Sequence, residues 1–361
     1  MAGRWSPAHT RAVRVVSLIA PGELVVEERP SRVLADGEVR VAMRAAGVCS
    51  SDLPRAHGGA YFTPLVLGHE LAGVVAEGAG LAPGTPVTIF PLLPCFACGP
   101  CHEEEYARCG DYSYLGSRED GGFATEVVAP AWNLLPVPPG VSLTDAALTE
   151  PLAVVVHALD RLGLPAARPA TLAIVGDGFL ALLAVAVLAR TRPDVEVTVV
   201  GRRPSKLARA AALGARTTTE ADGAWDFVLE AVGAPPTLTA ALALAAPGGT
   251  VVWMGNPSAD VTLPRDLTWR VLRKELTLRG SWNSRYRGRA PSDWTVALQL
   301  MADGLRPTDF VTTTSDLAGL PGLLADLQAR KLDPDVPSEL KALVRIDADR
   351  DAPGSPAGAA P

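Results

Sequence analysis

Cysteine is scarce in this chain: five residues among 361, an odd number and too few to staple a protein of this length. That argues against a disulfide framework and turns attention to how the five are spaced. Long apolar runs are missing as well. No stretch reaches the roughly 18 to 20 residues that cross a bilayer, and the nearest, Thr171 to Ala189, contains Gly176, Asp177 and Gly178. The apolar run Ala12 to Ala20 is broken by Arg14 and has no convincing cleavage site. We therefore expect no membrane partner, no signal peptide and a cytoplasmic location. An excess of basic residues is also absent: the formal net charge of −6 gives no general attraction to a phosphate backbone, which argues against nucleic acid. There is no internal repeat. What remains is 48% hydrophobic and 20% charged residues, the balance of a globular chain, and at about 150 residues per domain the length points to two domains.

The texture of the chain divides it. Residues Ala12 to Glu28 and Glu38 to Ala45 alternate branched apolar and polar residues, and the stretch from Leu65 to about Pro139 is rich in Gly and Pro with short strand-like runs. That half reads as β-rich. From Pro151 the pattern changes. Leu152, Val155, Val156, Leu159 and Leu162 recur at helical spacing up to Gly163, followed by a strand at Thr171 to Val175 and a buried helix at Phe179 to Arg190. The alternation continues with a strand at Val195 to Val200, a helix at Pro204 to Leu213, a strand at Phe227 to Glu230, a helix near Thr237 to Ala245 and a strand at Thr250 to Met254. Strict alternation predicts a parallel sheet covered on both faces. One more helix is expected at Ser292 to Ala302, and the Pro, Gly and Ala-rich residues Asp347 to Pro361 are expected to be disordered.

Two constellations carry metal chemistry. Cys95, Cys98, Cys101 and Cys109 are spaced C-x2-C-x2-C-x7-C in a loop broken by Pro and Gly, which lets four sulfurs converge on one tetrahedral zinc. A closed site of this kind orders the loop and takes no part in chemistry; an iron–sulfur cluster is the alternative with the same ligands. The fifth cysteine, Cys49, lies in Cys49-Ser50-Ser51-Asp52, and Gly68-His69-Glu70 follows. A thiolate, an imidazole and a carboxylate suit a zinc that keeps one position open. Glu150 is the best candidate for the third ligand, with Glu70 able to replace or exchange with it, and Asp52 is placed to bond the other nitrogen of His69.

Gly176-Asp177-Gly178-Phe179-Leu180-Ala181 fits G-x-G-x-x-A between a strand and a helix, the context in which glycines let a pyrophosphate approach a helix N-terminus. Gly176, Gly178 and Ala181 are the cofactor-binding candidates. Asp177 is an oddity there, a negative charge next to the expected phosphates. The second strand ends in Gly201-Arg202-Arg203 with no carboxylate, so Arg202 and Arg203 favour NADP(H) over NAD(H).

Together these residues resemble the zinc-containing medium-chain dehydrogenase/reductase family from about Arg11 to Ile346, and within it the polyol and sugar-phosphate branch. The likeness is carried by Cys49 to Arg55, Pro64 to Glu70, Phe90 to Cys101, Gly116 to Ala124, Glu150-Pro151-Leu152, Arg273 to Leu276 and Gly280-Ser281-Trp282. It implies an α/β fold: a GroES-like β-rich catalytic domain plus a Rossmann doubly wound parallel sheet. The expected boundaries are 1–160 for the catalytic domain with a zinc lobe at about 91–111, 161–295 for the Rossmann domain, a return at 296–346 and a tail at 347–361. It implies Cys49, His69 and Glu150 as ligands of a catalytic zinc with Glu70 alongside, the four clustered cysteines as ligands of a second zinc, and Ser51 as the hydroxyl that relays a proton to the reacting oxygen. The histidine that finishes this relay in some relatives is Pro54 here, and His57 does not align with it. Relatives form dimers or tetramers, so a homo-oligomer is expected.

The implied reaction is the zinc-dependent, NAD(P)(H)-linked interconversion of a secondary alcohol and a ketone on a small polyol, sugar phosphate or cyclitol, including a cyclitol phosphate. A ketone reductase of secondary metabolism fits by analogy. Arg118, Glu119, Asp120, Trp282, Asn283 and Arg285 lie in segments able to contribute polar groups, and Arg285, Arg287 and Arg289 are candidates to hold a substrate phosphate. The competing reading is a catalytically silent, zinc-stabilised nucleotide-binding protein.

Overall fold

The computed structural model describes residues 11–166, 169–220, 222–332 and 340–346; the tail expected at 347–361 lies outside them. The chain forms two compact units. The first holds the residues up to Glu150, Tyr286–Ala290 and the residues from Val311 onward; the second holds Pro151–Arg285 and Pro291–Phe310.

The first unit is β-rich. Its main sheet has seven strands, running from Leu134–Pro136 through Pro86–Ile89, Glu70–Gly78, Glu38–Val48 and Ala342–Arg345 to Thr313–Ser315, with Glu126–Pro130 also paired to Glu38–Val48. A smaller sheet joins Ala12–Ala20 to Glu23–Pro30 and Leu65–Val66. Alternation along these strands turns Val39, Val41, Met43, Leu71, Val75, Val87 and Ile89 into one core with Phe123, Leu18 and Leu324.

Register in the main sheet decides what meets at one strand end. Gly47 pairs with Glu70, and Val48 pairs with Ala342. The residues that follow Val48, that begin the Glu70 strand and that precede Ala342 are thereby neighbours. Glycine is needed at position 47 because a Cβ there would lie 1.8 Å from Oε2 of Glu70.

The second unit is a six-stranded parallel sheet. Its strands are β1 (Ala170–Val175), β2 (Val195–Val200), β3 (Arg216–Thr218), β4 (Trp225–Glu230), β5 (Ala245–Trp253) and β6 (Thr277–Gly280). They lie in the order 3-2-1-4-5-6, the doubly wound arrangement. The helices are α1 (Thr149–Leu162), α2 (Phe179–Thr191), α3 (Pro204–Ala212), α4 (Pro235–Leu244), α5 (Arg265–Arg273) and α6 (Asp293–Ala302). Helix α1 starts in the first unit, with Glu150 in its first turn, and continues in the second.

Helix α2 is buried over nearly its whole length, as its uniformly apolar sequence requires. Helix α4 begins two residues before the expected Thr237, because Pro235 and Pro236 occupy first-turn positions whose N–H groups have no intrahelical acceptor. The edge strand β6 was not expected at all: all four of its residues are exposed, so it lacks the apolar run that betrays a buried strand. No helix among the described residues is long and apolar enough to cross a membrane.

Candidate active site and dinucleotide turn

The strand ends of the first unit bring together one thiol, one imidazole and one carboxylate. A ligand atom from each of Cys49, His69 and Glu70 lies within 4.8 Å of the other two. Cys49 follows the strand Glu38–Val48, and His69 stands immediately before the strand opened by Glu70. Asp52, fully buried, organises both: Oδ2 accepts the Cys49 N–H at 2.9 Å, and Oδ1 lies 3.4 Å from Nδ1 of His69. The two atoms are thus neighbours, although neither makes a hydrogen bond among the described residues. Burial works against charge on His69, yet Asp52 and then Cys49 hold its pKa well above the usual histidine value.

Glu150 stands close by without joining that trio. Its Oε1 accepts the Tyr114 hydroxyl at 3.3 Å, and the Tyr114 ring meets the His69 ring edge-on at 5.8 Å. Burial pushes the Glu150 carboxyl up to about 7, Glu70 adds to the rise, and His69, Lys341 and Tyr114 oppose it. Ser51 lies beside Cys49, and its Oγ accepts a hydrogen bond from Nη1 of Arg55 at 2.9 Å. His57 faces away, with Nε2 3.3 Å from the Leu324 carbonyl.

One participant is invisible to local sequence reading. Lys341 precedes the strand Ala342–Arg345, and its buried Nζ donates to the Val48 carbonyl at 2.9 Å and to Oε1 of Glu70. Burial opposes its charge, but Glu70, Cys49 and Glu150 more than offset this and raise its pKa. Oε2 of Glu70 is buried with no hydrogen-bond partner among the described residues. A buried carboxylate oxygen left without a donor, beside a thiol and an imidazole, fits a divalent cation as its missing partner.

The four remaining cysteines converge as their spacing predicts, with all four sulfurs within 4.8 Å of one another and none in a disulfide. Cys95 Sγ lies 3.9 Å from Cys101 Sγ and 3.5 Å from Cys109 Sγ. A tetrahedron with zinc–sulfur bonds of about 2.3 Å has edges of about 3.8 Å. Backbone donors and Cys109 lower the Cys95 thiol to about 7, whereas burial and the neighbouring sulfurs push Cys101 up to about 12. Four thiolates this close need a cation to ionise together. An aromatic cluster braces the lobe: Trp132 packs edge-on against Phe96, Tyr106 and Tyr286.

In the second unit the glycine turn links β1 to α2. Gly176 has φ +125°, and a Cβ on it would meet Val232 at 2.8 Å. A Cβ on Gly178 would meet nothing within 4 Å, and no side chain caps the start of α2. Open space before uncapped helix N–H groups fits a pyrophosphate. Ala181 is buried where the helix packs down. Asp177 no longer presents a puzzle: its Oδ2 accepts the backbone N–H of Arg202 at 2.8 Å and of Arg203 at 2.9 Å, tying the turn to the loop after β2.

Six of the other polar candidates have partners of their own. Arg287 pairs with Glu104 at 3.2 Å, Arg289 donates to the Gly80 carbonyl at 3.3 Å, and Arg285 lies 3.9 Å from Asp160. Asp120 bonds Arg29 and the Val66 N–H, Glu119 bonds Ser113, and Arg118 stacks on Tyr112 at 4.3 Å.

The comparisons agree with this architecture. Residues 35–139 match the model of the alcohol dehydrogenase GroES-like domain, and residues 180–303 match that of the zinc-binding dehydrogenases. Galactitol 1-phosphate 5-dehydrogenase of Escherichia coli (strain K12) is 33% identical over 285 residues, which span 74% of this chain and 82% of the relative. The chain belongs to the zinc-containing medium-chain alcohol dehydrogenase family. It is an enzyme of the alcohol and polyol dehydrogenase type. Two solved members share its fold. A zinc-binding dehydrogenase from Sinorhizobium meliloti 1021 bound to NADP superposes with a TM-score of 0.81 at 26% identity, over 92% of this chain and 99% of that one. An alcohol dehydrogenase from E. coli CFT073 complexed with NADH gives a TM-score of 0.81 at 25% identity, over 93% and 99%.

The Lys341–Glu70 pair is buried on both sides, with side chains 5% and 1% exposed. Removing one partner strands the other, so Lys341→Met is expected to destabilise the protein by about 3 kcal/mol or more. Lys341→Met combined with Glu70→Gln should recover most of that loss. Chemical denaturation of the two variants beside the wild type checks this, and an unchanged midpoint for Lys341→Met would refute the pairing.

Proposed function

We propose that this enzyme interconverts a secondary alcohol and a ketone on a small polyol, sugar phosphate or cyclitol, phosphorylated cyclitols included, with NADP(H) favoured over NAD(H) and two zinc ions per chain. The convergence of Cys49, His69 and Glu70 around a donor-less carboxylate oxygen carries this reading. Cys49 and His69 would hold the catalytic ion with Glu150 as third ligand, and Cys95, Cys98, Cys101 and Cys109 would hold the other. Lys341 ties Oε1 of Glu70, whereas the one side-chain hydrogen bond on Glu150 among the described residues is long, 3.3 Å from Tyr114. Glu150 is thus the carboxylate freer to turn toward a cation, with Glu70 in reserve. The kinship to an enzyme named for galactitol 1-phosphate supports the polyol class.

When bound, the zinc supplies a Lewis acid to the reacting oxygen, and the nicotinamide gives or takes the hydride. The chain's own residues prepare the rest. Asp52, with Oδ1 3.4 Å from Nδ1 of His69, would orient the imidazole once that contact tightens to a hydrogen bond. Because Ser51 Oγ already accepts from Arg55, its hydroxyl hydrogen is directed elsewhere and is available to the substrate oxygen. Beyond Ser51 stands Arg55, whose side chain offers donors and no acceptor, so water has to carry the proton to solvent. In the second unit the first turn of α2 would receive the pyrophosphate, with Arg202 and Arg203 beside the adenosine ribose.

A second copy of this chain is the proposed partner. Among the described residues, strand β6 leaves an unpaired sheet edge whose residues are all exposed. Leu278 in this strand and Trp282 just after it are 42% and 53% exposed, and Trp269 and Leu272 of the preceding helix α5 are 50% and 64% exposed. An open strand edge offers unpaired N–H and C=O groups to another edge, and Leu278 gives this one an exposed apolar side chain.

Cys49→Ser is expected to reduce zinc from two ions per chain to one and to abolish turnover, while the protein stays folded; full activity with that variant would refute the catalytic assignment. A panel of polyols, ketoses, cyclitols and their phosphates, assayed with both nicotinamides, tests the substrate class. Arg202→Ala with Arg203→Ala should raise KM for NADPH much more than for NADH, and equal changes would remove the basis for the coenzyme preference. Light scattering should show an oligomer that Leu278→Asp converts to monomer; a monomeric wild-type chain would sink the edge-pairing reading.

A further inference from the structure

In a doubly wound dinucleotide domain the residue at the end of the second strand usually carries the carboxylate that accepts the adenosine ribose hydroxyls. Here that residue is Gly201, which has no side chain. Its side-chain volume is nevertheless filled. A Cβ placed on Gly201 would lie 2.7 Å from the Cβ of Asp177 and 2.8 Å from Oδ2 of the same residue.

The carboxylate therefore reaches the end of β2 from the neighbouring strand. Strands β1 and β2 are paired in register, Val175 opposite Val200, so the glycine turn and the loop 201–203 leave the sheet side by side. Asp177 is held there by the backbone N–H groups of Arg202 and Arg203. Both bonds fall on Oδ2, and Oδ1 takes no bond among the described residues on a side chain that is only half-buried. An anchored carboxylate with one oxygen engaged and the other open is what a ribose diol requires of its acceptor.

We propose that Asp177 is the ribose-reading residue of this chain, taking from the glycine turn the place that Gly201 vacates. This rests on the dinucleotide reading above and adds to it. The acceptor for a free 2′-hydroxyl and the cations for a 2′-phosphate, Arg202 and Arg203, share one loop. The site thus admits both coenzymes: the arginines favour the phosphorylated form, and Asp177 sets how well the unphosphorylated one is held. The pairing of Asp177 with Gly201 is reciprocal, since a side chain at 201 and the carboxylate of Asp177 cannot occupy the same space.

The test is direct binding of NADH and NADPH to the full chain, followed by nicotinamide fluorescence, with melting temperature as a check on folding. Asp177→Asn keeps an oxygen that can take both backbone N–H bonds and removes the charge. It should weaken NADH binding by about tenfold, the scale of one charged hydrogen bond, and leave NADPH unchanged or tighter. Asp177→Gly should lose NADH affinity, and Asp177→Gly with Gly201→Asp should restore it by returning the carboxylate to the end of β2. Equal weakening of both coenzymes by Asp177→Asn, or a folded double variant that does not regain NADH, would overturn the assignment of Asp177 and leave the dinucleotide reading standing. A wild-type chain that binds neither coenzyme would overturn both.

Discussion

Two buried carboxylates and a buried imidazole beside a half-buried thiol repel one another or compete for protons unless positive charge is supplied, and the first unit is arranged around that constraint. One positive group is built in: Lys341, inserted from the last strand, donates to Glu70 and to the carbonyl just before Cys49. Oε2 of Glu70, which has no hydrogen-bond partner among the described residues, leaves room for a second one as a bound cation. The register of three adjacent strands serves this arrangement, with Gly47 left bare so that Glu70 can fold across its partner strand.

The second unit solves a related problem without an ion. A negative side chain beside a phosphate site would be costly if it faced the phosphates. Asp177 instead turns to the two N–H groups that follow β2 and closes the gap left by Gly201. The glycine turn then stays open where Gly178 faces space, and the charge lies at the loop that differs most between coenzyme preferences. A residue that looks wrong in a one-dimensional motif is thus explained by its neighbour across the sheet.

Much of the fold was legible in advance because it rests on local patterns. The strand Val195–Val200 and helices α2, α3 and α6 lie within a residue or so of where their periodicity, prolines and glycines put them. Short and exposed elements were not legible. Strand β6 and helix α5 carry exposed apolar side chains among charged ones, so neither a buried run nor a clean stripe marks them. The same division runs through the candidate site. Cys49, His69, Glu70 and the four-cysteine lobe announce themselves by residue type and spacing. Lys341 does not, since it stands 271 residues from Glu70 and one lysine near a C-terminus carries no signal.

By itself, then, the sequence determined which chemical groups are present, that four cysteines crowd one loop, that a glycine turn joins a strand to a buried helix, and that a family of zinc dehydrogenases is the right comparison. Tertiary structure alone decided which groups face each other: Asp52 toward His69, Tyr114 on Glu150, Lys341 on Glu70, and Asp177 in the place of a Gly201 side chain. The reason is physical. Residue type and local spacing act along the chain, whereas the energy of a buried charge depends on its nearest partners in space, and those are chosen by strand register and sheet order.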